Sequence, residues 1–365
     1  MKRLKILLIS DAWKPQINGV VRTLEKTADG LNKLGHQVLI VGPDQFPTIP
    51  CPSYPSIRLA IRCRAKLAKL SRVFAPDRIH IATEGPLGLA ARRYCIRNHY
   101  HFTTSLHTLF AEYVNLRWNI PESWGYRYLR WFHDPAVATM VATSSMEKML
   151  VEKGFKHLER WSRGVDTRLF KPGSKDFLSD KRPIFLYVGR VAVEKNLDSF
   201  LSLDLPGSKY VVGDGPALDG FRRQYPDTRF VGFKQGEPLA AHIRSADVVV
   251  FPSLTDTFGL TVLESLACGV PVAAFPVQGP KDILTEPNTG CLDWNLLKAT
   301  LKALNGNSTH CRELAMQYSW EASTAQFLNH LTPSLFNAQQ SRQTCDTQSN
   351  SSRMQSFLNA IRNRN

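Results

Sequence analysis

Short runs of β-branched and apolar residues return at intervals along this chain, each followed by a stretch with helical spacing. In the first half they are KILLIS (Lys5 to Ser10), QVLIV (Gln37 to Val41), RIHIA (Arg78 to Ala82) and HFTTS (His101 to Ser105). Strand-like runs alternating with helical ones are the pattern of a parallel sheet wound with helices. After Arg163-Gly164-Val165-Asp166 the pattern restarts, with PIFLYVG, KYVVG, TRFVG, DVVVF and PVAAF, again short and bounded by Gly or Pro. At 365 residues the chain is also longer than one core usually serves. The expected fold is α/β, two Rossmann-like units joined near Val165 to Pro172, with the cleft between them as the default ligand site.

Several classes are disfavoured. The apolar run near the start ends at Asp11 after about six residues, short for a secretory signal core, and nothing approaches the roughly 18 apolar residues of a membrane-spanning helix. The seven cysteines (Cys51, Cys63, Cys95, Cys268, Cys291, Cys311, Cys345) are scattered and show no Cys-x-x-Cys spacing, which suits a reduced, cytoplasmic setting without structural zinc. A net charge of +15 implies an acidic partner: nucleic acid, anionic lipid or a phosphorylated substrate. Residues 338–365 are polar and rich in Ser, Gln and Asn, so a loose tail is expected there.

In open α/β sheets ligands collect where strands lead into helices, and four such turns stand out. In DAWKPQINGVVRTL, Asn18-Gly19 precedes the apolar helical face of Val20, Val21 and Leu24; glycine at a helix N-terminus admits an anion to free N–H groups. Neither Gly-x-Gly-x-x-Gly nor the Walker pattern is present, and a plain turn is the alternative. GRVAVEKN puts Arg190 and Lys195 after a strand, a planar fork and a point charge suited to a diphosphate, or else a solvated loop. Gly213 in GDGP and Val231 to Phe233 in RFVGF could bracket a flat base, or be ordinary turns. Finally, SLTDTFGLTVLESLACGVP (residues 253–271) carries Asp256 and Glu264. If Thr257 caps a helix beginning near Gly259, the N–H groups of Phe258, Gly259 and Leu260 face the same cleft. At 1.5 Å per residue the acids stand about 10 Å apart, the span between the two hydroxyl-bearing ends of a sugar nucleotide.

Together with RGVDTRLFKP, ATEGPLGLAARR, SLHTLFAEYV and RWFHDPA, these segments make the chain resemble the family 4 retaining glycosyltransferases of GT-B fold. Over about 330 residues it is most similar to the subset of GDP-mannose-dependent α-mannosyltransferases and glycolipid glycosyltransferases. The resemblance implies two Rossmann-like domains facing each other across a cleft. Residues 1–167 would form the acceptor-side domain and 168–318 the nucleotide-sugar domain, with a helix at about 319–335 crossing back to the first. It implies a hexose moved from a nucleotide sugar to a hydroxyl of a glycolipid or other glycan. GDP-mannose is the expected donor, and UDP-glucose and UDP-galactose are alternatives. His107 would face the transferred sugar, Gly19 the diphosphate or sugar, Arg190 and Lys195 the diphosphate, Asp256 the sugar hydroxyls and Glu264 the ribose. His107, Arg190, Lys195 and Asp256 are thus the expected catalytic residues. Asn18, Gly19, Gly213, Val231, Phe233, Phe258, Gly259, Leu260 and Glu264 complete the expected donor site. The common family pattern has Glu where this chain has Asp256, a reach one methylene shorter. No Asp-x-Asp occurs, so no metal or other cofactor is expected. In the family a phosphate oxygen accepts the acceptor's proton and configuration is retained. Asp11 and Glu112 are accordingly read as a strand-end cap and an exposed helix acid rather than general bases.

Residues 56–74 hold Arg58, Arg62, Arg64, Lys66, Lys69 and Arg72 without one acid, interleaved with Leu, Ile and Phe. YRYLRWFH adds Arg127, Arg130 and Trp131. Such segments can lie on anionic lipid, giving peripheral contact with the inner face of a membrane, or be solvated helix faces. A nucleic-acid-binding protein is the competing reading from charge alone, but no recognition motif supports it. A non-catalytic GT-B binding module is opposed by the presence of Arg190, Lys195 and both acids.

Overall fold

A computed structural model describes residues 2–334, apart from 17, 52–53, 113–114, 116–118 and 333. The tail expected at 338–365 lies outside the described residues.

The first half runs β1 (Lys5–Ile9), α1 (Gly19–Lys33), β2 (Gln37–Val41), β3 (Thr48–Cys51), β4 (Tyr54–Ala60), α2 (Cys63–Phe74), β5 (Arg78–Ile81), α3 (Pro86–Arg97), β6 (Thr103–Ser105), α4 (Glu122–His133), β7 (Ala138–Val141), α5 (Ser144–Glu152) and β8 (Leu158–Arg160). Six strands pair in parallel in the order β2-β1-β5-β6-β7-β8, and β3 and β4 form a separate antiparallel pair. The second half supplies β9 (Ile184–Val188), α6 (Asp198–Leu201), β10 (Ser208–Val212), α7 (Leu218–Gln224), β11 (Arg229–Gly232), α8 (Gly236–Ser245), β12 (Val248–Phe251), α9 (Leu260–Ala267), β13 (Val272–Ala274), α10 (Pro280–Ile283), β14 (Gly290–Leu292), α11 (Leu296–Ala303), α12 (Ser308–Met316) and α13 (Trp320–His330). Its sheet is parallel, ordered β11-β10-β9-β12-β13-β14.

All five residues of β9 and all four of β12 are buried, the expected state of strands covered by helices on both faces. Strand order reverses between β9 and β12, so the loops leaving their carboxyl ends flank a topological switch point, where α/β sheets bind ligands. Those loops are the ones carrying Arg190 and Lys195 and the Asp256–Gly259 turn.

The last helix belongs by position to the second half and by packing to the first. Ser319 caps α13 by accepting from the Ala322 N–H at 3.0 Å. Phe327 is fully buried among Ile6, Leu8, Leu24 and Trp161, and the Trp161 indole N–H donates to Ser323 Oγ at 3.1 Å. Two close approaches need glycine: a Cβ at Gly30 of α1 would lie 2.4 Å from Thr324 Oγ1, and one at Gly164 would lie 2.4 Å from the Trp320 nitrogen. Among the described residues no helix is long and apolar enough to cross a membrane.

Candidate active site

The amino-terminal side of the cleft is the loop from β1 into α1. Asn18 caps the helix, its Oδ1 accepting from the Val21 N–H at 3.0 Å. Gly19 is the first helical residue, and a Cβ placed there would stand 3.7 Å from Leu260 Cδ1 at the start of α9 in the other half. The two helix starts therefore oppose each other. Asp11, at the end of β1, accepts from the Leu87 and Gly88 N–H groups at 2.8 and 3.0 Å and from the Thr83 hydroxyl at 2.9 Å. It caps α3, with both carboxylate oxygens accepting from that turn. Burial raises its pKa, and those three hydrogen bonds pull it back.

On the carboxyl-terminal side, the β9 loop is laced to the β12 loop. Lys195 Nζ is 2.7 Å from Asp256 Oδ1, Asn196 Nδ2 donates to the Pro252 carbonyl at 3.1 Å, and the Thr255 hydroxyl reaches the Glu194 carbonyl at 3.4 Å. Asn196 takes a left-handed conformation, φ 51°, closing the turn. Arg190 is half-buried beside them, and its carbonyl accepts from the Tyr187 hydroxyl at 2.7 Å. Asp256 Oδ2 and Gln278 Oε1 are buried acceptors with no donor among the described residues. Such acceptors are costly unless something supplies a donor.

The helix that follows does not begin as expected. Gly259, at φ 92°, is the N-cap of α9, and no side chain caps it. The Thr257 hydroxyl instead donates across the cleft to the His107 carbonyl at 2.7 Å. A left-handed N-cap holds Thr257 too far around to reach the helix amides. The first amides of α9, at Leu260 and Thr261, thus have neither an intrahelical acceptor nor a side-chain cap. Phe258 turns inward, edge-on to Tyr318 with ring centroids 6.2 Å apart.

Glu264 lies on α9 with its side chain 7% exposed, ion-paired with Arg22 of α1. Burial raises its pKa, and the guanidinium charge and hydrogen bond lower it. His107 has both ring nitrogens engaged: Nε2 is 2.8 Å from Ser105 Oγ, and Nδ1 is 3.2 Å from an Arg163 nitrogen. Burial, then the Arg163 charge, then His80, hold its pKa well below the ordinary range, so the ring is neutral. A third tie crosses the cleft where Asp282 Oδ1 accepts from the Ser144 hydroxyl and the Ser145 N–H, at 2.9 and 3.0 Å.

The amino-terminal half matches the model for Glycosyltransferase Family 4 over residues 17–169, and the other half matches Glycosyl transferases group 1 over 182–303. The chain is 30% identical over 321 residues to a GDP-mannose-dependent alpha-mannosyltransferase of Mycolicibacterium smegmatis, covering 79% of this chain and 84% of that one.

The chain belongs to glycosyltransferase family 4.

An alpha-monoglucosyldiacylglycerol synthase of Streptococcus pneumoniae is 25% identical, covering 82% of this chain and 78% of the relative. Among solved structures, sucrose-phosphate synthase of Thermosynechococcus elongatus superposes with a TM-score of 0.71 at 20% identity, over 94% of this chain and all of that one. The fold of this family 4 glycosyltransferase is GT-B.

The structure brings Asn18, Gly19, Leu260, Gly259, Asp256, Lys195, Glu264 and His107 to one cleft, where Arg22 and Arg163 join them without having been expected; Gln278 directly precedes Gly279, which packs against the Phe258 backbone. Gly213 has a packing reason of its own: a Cβ would lie 1.8 Å from the Gly189 carbonyl oxygen. Val231 is half-buried against the core, whereas Phe233, just past β11, is 45% exposed. Glu112 corrects the expectation of an exposed acid, since it is half-buried and accepts from the Tyr126 hydroxyl. The basic segment is also qualified. In α2, Arg64, Lys66, Lys69 and Arg72 are exposed, as is Arg62 just before it, but Leu67 is buried and Leu70 and Phe74 pack on the core. Its apolar face is already used, which leaves a charged surface. Arg58 is tied to Thr48. On α4, Arg127 and Arg130 are exposed, and Trp131 stacks on Arg92 at 4.0 Å while 49% exposed.

Proposed function

We propose that this glycosyltransferase is a retaining hexosyltransferase that moves mannose from GDP-mannose to a hydroxyl of a membrane glycolipid. The observation that carries the reading is the Lys195–Asp256 pair at the switch point. It sets a cation, an acid with one unsatisfied oxygen and the uncapped start of α9 side by side. Glu264 stands further along that helix.

In this reading the diphosphate lies between Arg190, Lys195 and the first amides of α9. As the bond from the anomeric carbon to the diphosphate breaks, negative charge grows on the departing oxygens and these donors would stabilise it; preorganised donors of this kind are usually the largest catalytic contribution. Asp256 Oδ2 and Gln278 Oε1 accept hydrogen bonds from sugar hydroxyls, and Glu264 accepts from the ribose. The acceptor hydroxyl attacks from the face the diphosphate leaves. Its oxygen bonds to the anomeric carbon, its proton passes to a phosphate oxygen, and the configuration is kept. Asp11 is committed to α3 and His107 is neutral with both nitrogens engaged, so neither serves as base. Without Asp-x-Asp in the sequence, cationic side chains rather than a divalent ion carry the diphosphate. Gly19 fits the same picture: the protein alone leaves room for a Cβ there, so the glycine serves the donor's approach.

The mannose and guanine preferences are supported by the mannosyltransferase relative, and the lipid acceptor by the diacylglycerol-acting relative together with the basic faces of α2 and α4. The setting this implies is cytoplasmic, at the inner face of a membrane. UDP-glucose and UDP-galactose are the competing donors, with base choice set near Val231 and Phe233. A thermal-shift series with GDP-mannose, UDP-glucose, UDP-galactose and the free diphosphates tests the reading, because a ligand bound only by the native state raises its melting temperature. GDP-mannose is expected to give the largest rise. No rise with any of them would defeat the proposal.

A further inference from the structure

Arg163 is a buried cation, and among the described residues no carboxylate pairs with it. It is 4% exposed, it donates to the Trp161 and Ser162 carbonyls, and it stacks on the Trp161 ring at 4.2 Å. Burial pushes its pKa down to about 9, which still leaves it charged at neutral pH. A guanidinium held this way is expensive, and packing alone would be served better by an apolar side chain. Among the described residues, the one side chain it hydrogen-bonds is His107, through Nδ1 at 3.2 Å.

That contact has a determinate direction. Arginine only donates, so His107 Nδ1 must accept, and the ring proton must sit on Nε2. Nε2 then donates to Ser105 Oγ at 2.8 Å. The Ser105 hydroxyl is then free to donate to His80 Nε2 at 3.0 Å or to the Ala82 carbonyl at 3.5 Å. When Ser105 donates to His80, His80 Nδ1 donates to Thr103 Oγ1 at 2.9 Å and the Thr103 hydroxyl to the Ile79 carbonyl at 3.4 Å. Whichever acceptor Ser105 uses, the Arg163 contact alone decides the His107 tautomer, because arginine has no acceptor to offer.

We propose that Arg163 is a positioning residue for the transfer: through His107 Nδ1 it fixes the imidazole as the neutral, Nε2-protonated tautomer, while Thr257 holds the His107 carbonyl from the other half of the cleft. The proposal rests on the transfer reaction inferred above: as the bond to the diphosphate breaks, positive charge grows on the anomeric carbon, and His107 is the residue expected to face the transferred sugar. An imidazolium there would oppose that charge. Burial first and then the guanidinium set behind the ring disfavour protonation, and the Arg163 contact keeps the ring plane constant. The titratable groups facing His107 are Arg163 and, behind Ser105, His80, with His133 beyond it. Burial holds His80 down to about 3, so it does not compete for the proton.

Two measurements test this. In the full chain labelled with ¹⁵N-histidine, with H107Q identifying the resonance, His107 should keep the nitrogen shifts of the neutral Nε2–H tautomer from pH 5 to 8. A midpoint near the ordinary value of about 6.5, or the Nδ1–H tautomer, would overturn the assignment. This spectrum needs no substrate, so it stands or falls separately from the donor reading. In the transfer assay, R163M should lower kcat by roughly 10²-fold with little change in donor KM, and should bring in an acid limb below neutral pH. R163K should lack that limb, and so should R163M combined with H107Q. A flat profile in R163M, or a limb that survives H107Q, would refute the proposal. If R163M does not fold, the wild-type spectrum alone decides.

Discussion

Arg22 on α1 and Glu264 on α9 form an ion pair that joins the two halves of the molecule across the cleft. The carboxylate is buried and the guanidinium is about a third exposed, so the charge on Glu264 depends on Arg22 more than the reverse. Burial raises the glutamate's pKa above 4.5 and Arg22 draws it back. Nucleotide binding through ribose hydroxyls needs the ionised carboxylate, so affinity should fall as pH drops through that raised pKa, earlier than for an exposed glutamate. In R22M the opposing cation is gone, the pKa rises further, and the acid limb should move to higher pH. At neutral pH the variant should bind nucleoside diphosphate about tenfold more weakly, which is about 1.4 kcal/mol. Calorimetric titrations with GDP from pH 5 to 8 measure both. An acid limb at the same pH in wild type and R22M would show that Glu264 does not read the ribose.

Lys195 and Asp256 hold each other at 2.7 Å, and each side chain is about one-fifth exposed. Lys195→Ala should lower kcat by about 10²- to 10³-fold, the usual cost of one preorganised donor to a developing anion. Its thermal midpoint should change little, because a partly exposed pair contributes modestly to folding. Glu264→Ala should instead act mainly on donor KM. Steady-state kinetics beside a melting curve separate these outcomes. A near-normal kcat in Lys195→Ala would remove Lys195 from the site, and an unchanged donor KM in Glu264→Ala would remove Glu264.

Which parts of this arrangement could be read beforehand follows from the range of the interactions. The runs IFLYV and VVVF declare themselves because burial on two faces leaves no polar position in them. The loops after those strands were legible for the same reason, since the strand ends fix where they start. Thr257 is the instructive failure. A threonine ahead of an apolar helix is a sound local signal for a cap, but the left-handed Gly259 intervenes and the hydroxyl finds an acceptor in His107, 150 residues away. Arg22 and Arg163 were invisible as site residues because their partners lie 242 and 56 residues distant. No spacing rule connects such pairs. The short strand GCL at Gly290–Leu292 carries little strand propensity and exists because β13 offers it a partner.

The exposed charges of α2 give a separate test. Arg64, Lys69 and Arg72 point outward while Leu67 holds the helix to the core, so reversing the three to glutamate should leave the fold intact. Each basic residue near an anionic surface contributes about 1 kcal/mol, and removing three should weaken vesicle binding by on the order of 10²-fold. Co-sedimentation with vesicles containing anionic lipid measures it, with purely zwitterionic vesicles and raised salt as controls. Equal binding by wild type and variant would assign the basic face to another role.

Phe327 tests how far the two halves depend on the returning helix. Its ring is fully buried between β1, α1 and Trp161, with Trp161 4.7 Å away between centroids. Truncating a buried phenylalanine to alanine costs about 3–5 kcal/mol, so Phe327→Ala should lower the melting temperature by several degrees or more. The effect should appear on the amino-terminal half, because the residues left exposed are Ile6, Leu8 and Leu24. Hydrogen exchange should therefore quicken in β1 and α1 and stay unchanged in β9 and β12. Phe233→Ala supplies the contrast: that ring is 45% exposed, so stability should hold while affinity for the nucleotide base falls. If Phe327→Ala loosened both sheets equally, α13 would be a strut shared by the halves rather than an element of the first.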